Sequence, residues 1–496
     1  MNKKTKIIRV ILLSISLILL LNMAACSKKK DSGDSDSKTT DSQADADNNN
    51  EETKDEETKD EETKDEETKD VKDEDSKDAN SDQLPADNKQ ANKNVNDTST
   101  DLMADVKAQE IQPDSDMQKA DFMQKFSVEM LQNLTKDSEK NILFSPLSIY
   151  YALGMTHNAA ANNTLQQMTD VLHSDPATLN QYLFSYDSLL KQQDETVKLN
   201  LANSIWFNAD EADTIQVKPE FLQTNADYYN AALRELAFDD NAKDIINSWV
   251  NENTKEMIPE IIDEIPEEAI MYLINALAFE GEWQVKYEEE DIEKENFYPD
   301  ENTYQEVQMM KSEENYYLAD EYVQGFLKPY KNPRYVFMAL LPNYDVKLSD
   351  YIANLDADSF SKLLDSVSEE PVLAGIPQFK TECSFELSEK FKNLGMTDAF
   401  DPNYSDFSNG FESVNPIVIN RILHKTFLEV DAEGTKAAAV TAVEMEKCSM
   451  EIPEEKTVYL TSPFLYFIID TELQVPIFVG QMLKIDDVEV MTFEHK

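Results

Sequence analysis

The sequence predicts an α+β domain in which N-terminal helices pack on a large central β-sheet, with further sheets beside it. Three observations carry that expectation. Segments with apolar residues at helical spacing come first in the body of the chain. Long runs rich in branched and aromatic residues come later. The first 112 residues show neither pattern beyond one short apolar run.

That run is a targeting signal. Lys3, Lys4, Lys6 and Arg9 make a basic start, apolar residues follow from Ile11, and the run stops at Met23-Ala24-Ala25-Cys26. Small residues before a cut site mark a bacterial secretory signal. A cysteine directly after them resembles a lipoprotein box, which implies that Cys26 becomes the lipid-carrying N-terminus after removal of residues 1–25. An ordinary secretory signal or an uncleaved anchor is the alternative. Residues 26–112 are different material, with EETKD repeated four times from Glu51 to Asp70. Residues 31–100 carry 25 acids against 9 bases and almost no branched or aromatic residue. Such a segment cannot bury enough surface to offset its ordering entropy. It reads as a solvated, disordered tether spanning on the order of 50 Å. A charged single helix is the other reading, but Thr and Asp in every repeat argue against a stable one.

The chain carries a net −53, of which −44 falls on residues 101–496. So acidic a body will not track nucleic acid or anionic lipid. The nine glycines form no phosphate-binding or nucleophile-elbow motif, and His157, His173, His424 and His495 are not at metal-ligand spacing. No cofactor or metal is therefore expected. Beyond Cys26 there are two cysteines, Cys383 and Cys448, which could pair or stay free; a buried, inert thiol is the reading for Cys383.

Within the body, "ADFMQKFSVEMLQNL" sets Phe122, Phe126, Met130 and Leu131 near one helical face. "SPLSIYYALGMTHNAA" opens with Ser145 as a cap and Pro146 just inside, a helix start. "NTLQQMTDVL" and "IINSWVNENTKEMIPEII" continue in the same style. "MYLINALAFEGEW", "YVFMALLP", "VINRILHKTFLEV" and "PFLYFIIDTELQVPIFVGQML" read as strands. The stretch "GTKAAAVTAVEMEKCSMEIP" is of another kind. In extended form one face is Thr435, Ala437, Ala439, Thr441, Val443 and Met445. The other face is Lys436, Ala438, Val440, Ala442, Glu444 and Glu446. Its small side chains could slide between existing strands at little steric cost, and the inward set breaks at Lys447.

Nine motifs in order carry a family resemblance. They are "NILFSPLSI", "ALGM", "NTLQQM", "INSWVNENT", "INALAFEGEW", "IPQF", "LGMTDAF", "HKTFLEVDAEGTKAAAVTA" and "PFLYFIID". Over nearly all of 119–485 the sequence resembles the serpins, which implies a serpin domain at 113–487 and a short tail at 488–496. The resemblance implies an exposed reactive-centre loop, about 432–456, that a protease attacks to form an acyl-enzyme. The loop then inserts into the central sheet and strands the protease before water completes the reaction. Such a protein is an inhibitor consumed once, not an enzyme. The resemblance makes Gly434, Thr435, Lys436, Ala437, Ala438, Ala439, Val440 and Thr441 the hinge. It makes Ser145, Ser148, Asn275 and His424 a polar group governing sheet opening, and Trp283 the aromatic where the loop first inserts. The sequence departs from the family pattern at Ala432 and Lys436, each in place of a usual Glu. Ala159 and Asn162 replace two usual glycines, and Lys484-Ile485 replaces a usual Asn-Pro.

Seventeen residues from the usual hinge start puts the scissile bond at Cys448–Ser449, which suits elastase-like or subtilisin-like proteases. Lys447 offers a trypsin-like alternative. The implied partners are extracellular serine proteases, met covalently by a monomer, and the bacterial membrane, reached through lipidated Cys26. The protein would act at the outer face of the cell membrane, and no basic heparin-like patch is expected. A cysteine protease inhibitor and a non-inhibitory surface binding protein on the same scaffold are the other readings.

Overall fold

A computed structural model describes residues 96–136, 138–191, 196–211, 215–265, 269–435 and 456–493. Strands and helices are numbered in chain order. The central sheet has seven strands, in the order β1 (Thr100–Asp101), β5 (Ala232–Leu236), β3 (Val197–Asn208), β6 (Met271–Glu282), β15 (Gly434–Thr435), β14 (Arg421–Val430) and β12 (Phe379–Glu386). The second sheet runs β16 (Lys456–Tyr459), β11 (Ser368–Pro377), β8 (Thr303–Ala319), β9 (Val323–Pro329), β10 (Tyr335–Pro342), β17 (Phe464–Asp470), β18 (Val475–Met482) and β2 (Ile142–Phe144). β7 (Ile292–Asp300) and β19 (Met491–Thr492) also pair with β8, and β4 (Ile215–Val217) pairs with β13 (Phe411–Ser413).

The helices that position the site are α1 (Asp121–Thr135), α2 (Pro146–His157), α3 (Asn162–Leu172), α4 (Pro176–Lys191), α5 (Pro219–Tyr229) and α6 (Ala242–Asn253). The quoted apolar patterns fall on α1, α2, α3 and α6, and the strand runs on β6, β10, β14, β17 and β18. Every residue of α2 is buried. A helix apolar all round belongs inside, and α2 sits against β6 and β18. Ser145 caps it as the sequence indicates, its Oγ accepting from Ser148 N at 3.1 Å, with Pro146 in the first turn. The opposite face of β6 meets α6, where Ile245, Ile246 and Val250 pack with Ile274, Ala276, Ala278 and Phe427. Covered on both faces, β6 is buried almost end to end and shows no polar alternation.

The body begins before the boundary expected at residue 112. β1 extends the edge of the central sheet through Thr100↔Glu235 and Asp101↔Arg234. Arg234 Nη1 donates to Asp97 Oδ2 and Ser99 Oγ, each at 2.7 Å. Further on, Gln223 Nε2 donates to Lys107 O at 2.9 Å and Gln181 Nε2 to Gln112 O at 3.1 Å. Residues 96–112 thus carry enough polar and apolar side chains to pair along the sheet edge, α5 and α4. At the other end the tail also pairs: Met491↔Tyr304 lies in register, and Phe493 stacks on Tyr304 at 5.0 Å. Asn162, standing where a glycine was usual, has φ 48°, a region Asn tolerates better than most residues. Cys383 is a buried free thiol, and burial pushes it up to about 12.

Candidate functional site

The site is the seam between β6 and β14. These strands pair in parallel from Arg421↔Tyr272 to Phe427↔Ala278, with Asn275 opposite His424. Parallel neighbours need a long crossover, and here almost 140 residues of chain separate them. Beyond Ala278 the strands part, and β15 sits between them. Thr435 pairs antiparallel with Val430 on one side and Gly281 on the other. The closeness demands glycine: a Cβ on Gly434 would fall 2.1 Å from Gly281 O.

A tight turn delivers the chain from β14 into β15. Asp431 N donates to Gly434 O at 3.0 Å. The half-buried Asp431 carboxylate accepts from Glu433 N at 2.9 Å and Gly434 N at 3.1 Å. Two aromatic residues hold this turn. Trp283 donates its backbone N–H to Glu433 O at 3.0 Å and its indole N–H to Asp431 O at 2.8 Å. Tyr287 N donates to Ala432 O at 3.0 Å. Trp283 stacks on Tyr330 with centroids 4.6 Å apart, and the Tyr330 hydroxyl lies 2.7 Å from Thr435 Oγ1. Thr435 is fully buried. At the surface, Lys286 Nζ pairs with Glu433 Oε2 at 2.6 Å.

Lower in the seam, the four polar residues named from the sequence meet. Ser145 N donates to His424 Nε2 at 3.0 Å. That fixes the tautomer: the proton sits on Nδ1 and is donated to Asn275 Oδ1. Asn275 Nδ2 in turn donates to Ser148 O and Asn203 Oδ1. The network ties β3, β6 and β14 to the start of α2. Burial alone pushes His424 down to about 3, so it is neutral at physiological pH. Ser148 Oγ is buried with no partner among the described residues, a cost of about 1–3 kcal/mol for a closed seam.

Of the residues named from the sequence, Gly434, Thr435, Trp283, Ser145, Ser148, Asn275 and His424 are placed. Lys436, Ala437, Ala438, Ala439, Val440, Thr441, Lys447, Cys448, Ser449 and Cys26 lie outside the described residues. Tyr287, Tyr330, Asn203 and Lys286 were not foreseen. Asn203, opposite Asn275, is one of several polar residues on β3, so nothing local singled it out.

A closed sheet whose connecting segment already starts between its two central strands defines a class, and the comparisons agree on it. The family model "Serpin (serine protease inhibitor)" matches residues 121–485. Human Serpin B3 is 31% identical, covering 72% of this chain and 97% of its own. Human antithrombin-III is 30% identical over 72% of this chain and 80% of its own. Among solved structures, the thermophilic serpin tengpin in its native state superposes with TM-score 0.73 at 38% identity, over 78% of this chain and all of its own. Human thyroxine-binding globulin shares the fold at TM-score 0.66 and 22% identity, over 73% of this chain and 97% of its own. The chain belongs to the serpin family, whose members are generally protease inhibitors and not enzymes, although some are non-inhibitory.

Proposed function

We propose that this protein is a suicide inhibitor of extracellular serine proteases, held by a lipid on Cys26 at the outer face of a bacterial membrane. The observation that supports it most is the register of β15. Extending the pairing of Thr435 with Gly281 and Val430 one residue at a time defines the inserted strand. Lys436 falls between Glu280 and Glu429, Ala437 between Phe279 and Leu428, and Ala439 between Leu277 and Thr426. Thr441 falls between Asn275 and His424, and Glu444 beside Arg421. Thr435 faces inward, so in an inserted strand the other odd-numbered residues would too. Small side chains then meet the packed interior as far as Thr441. Its hydroxyl arrives at the polar group where Ser148 Oγ lacks a partner. On the outward face, Lys436 meets two carboxylates and Glu444 meets a guanidinium. The usual Glu at the Lys436 position would meet Glu280 and Glu429 instead.

The protease serine attacks the Cys448 carbonyl and expels the amine of Ser449, leaving an ester. Insertion replaces the single parallel β6–β14 ladder with two antiparallel ladders, a more favourable pairing. About 14 residues of new strand move the ester by about 45 Å. Nothing larger than valine faces inward before Met445, which favours insertion over hydrolysis. A weakly apolar residue before the bond fits elastase-like or subtilisin-like pockets.

The test mixes the mature chain with elastases, subtilisin, trypsin, chymotrypsin and papain. A boiling-stable, SDS-resistant complex with a serine protease supports the reading. A complex with papain alone moves it to cysteine proteases. Cleavage by every enzyme without a complex overturns it in favour of a non-inhibitory scaffold.

A further inference from the structure

Beneath the aromatic residues that hold the 431–434 turn lies an ion pair that the inhibitory cycle does not otherwise use. Lys328, on β9, is 2% exposed and Glu314, on β8, is 6% exposed. Their Nζ and Oε1 atoms are 2.8 Å apart. Taking two charges out of water is costly, and aliphatic residues of similar volume are commonly as stable or more so. Phe326, two residues earlier on the same face of β9, is fully buried, so this layer accepts apolar side chains.

The surroundings of the ammonium suggest its use. Lys328 Nζ lies 4.1 Å from the centroid of the Tyr287 ring and 5.4 Å from that of Trp283. One cation therefore faces the rings of both residues whose N–H groups hold the carbonyls of Asp431, Ala432 and Glu433. A desolvated cation is attracted to the face of each ring by its quadrupole, and turning a ring away loses that attraction. Glu314 is itself held: Ser312 Oγ donates to its Oε1 at 2.7 Å and also lies 3.3 Å from the Tyr287 hydroxyl. The chain of contacts runs Ser312, Glu314, Lys328, then Tyr287 and Trp283, then the turn.

We infer that Lys328, anchored by Glu314, is a positioning residue for the reactive loop: it sets the two aromatic residues that hold the 431–434 turn in the register from which the strand grows. The inference rests on the inhibitory reading for its consequence, but not for the positioning itself. Loosening the rings frees the turn, and a freer turn inserts more slowly relative to hydrolysis of the acyl-enzyme.

The test is the double variant Glu314→Leu/Lys328→Met, which removes both charges and leaves neither orphaned. Its melting temperature should equal or exceed that of the native chain. Hydrogen exchange at the Trp283 indole should be at least tenfold faster, while the Trp206 and Trp249 indoles, away from the turn, stay unchanged. The amount of inhibitor consumed per protease trapped should rise at least threefold. A folded double variant with native Trp283 exchange and native consumption overturns the inference. Should the double variant not fold, Ser312→Ala removes only the hydroxyl that orients Glu314. It should shift Trp283 exchange about twofold in the same direction, and no shift overturns the inference equally. If the native chain traps no protease, the functional proposal fails while indole exchange still decides the positioning claim.

Discussion

Acidification should loosen the closed sheet through His424. In the folded protein this imidazole is neutral, accepting from Ser145 N–H and donating to Asn275. A proton added at Nε2 would set two N–H groups against each other. The folded value is about 3, and an unperturbed histidine titrates near 6.5. Because the folded value is the lower, the unfolded chain takes up the proton first. The contribution is therefore complete above about pH 6.5 and is lost as pH falls toward 3. At pH 5 the loss covers about 1.5 units at about 1.36 kcal/mol each, or about 2 kcal/mol. His157, also buried and held at about 4, contributes with the same sign. The measurement is therefore a difference between the native chain and His424→Gln, in which Oε1 still accepts from Ser145 but cannot ionise in this range. The first urea transition, followed at pH 8, 7, 6 and 5, should fall by about 2 kcal/mol more in the native chain than in the variant. Parallel pH profiles would refute the argument, because they would mean that His424 is not held neutral by the seam.

Two further outcomes follow from the same structure. Lys436→Glu should raise the inhibitor consumed per protease trapped. Two cross-strand attractions of about 0.2–1 kcal/mol each become repulsions, and Glu280→Lys should restore part of the loss; equal consumption in all three proteins would contradict the register. Cys383, held up to about 12 by burial, should resist iodoacetamide at pH 8 in the native protein and react once urea unfolds it; rapid labelling of the folded chain at this residue would contradict its placement.

The sequence made α2 legible because cap, proline and apolar composition agree on one start. β6 was legible because a strand buried on both faces reads as a nearly continuous apolar run, and β14 because branched and aromatic residues recur along it at Ile422, Leu423, Phe427, Leu428 and Val430. β3 was not, because its polar residues, among them Asn200 and Asn203, break the run where they meet the seam. β8 was missed for a different reason: Glu306, Glu313 and Asn315 alternate with buried residues, so one face of the strand meets water. The seam itself is a long-range pairing of distant segments, and nothing local in either strand specifies it. Family resemblance supplied Ser145, Ser148, Asn275, His424 and Trp283 together. It did not supply Lys328, whose meaning depends on two rings from another strand end. The start of the body was set too late because Leu102, Met103, Val106 and Ile111 are scattered among polar residues with no clear period, and their partners on β5, α5 and α4 are distant in sequence.

The most direct test of the inhibitory account is to mix the mature chain with neutrophil elastase, pancreatic elastase and subtilisin, and to weigh both the products and the released C-terminal peptide. The account predicts a boiling-stable covalent complex and a peptide that begins at Ser449. A peptide beginning at Cys448 would shift the target to trypsin-like enzymes while leaving the trap intact. Complete cleavage in the loop with full recovery of protease activity would contradict the account.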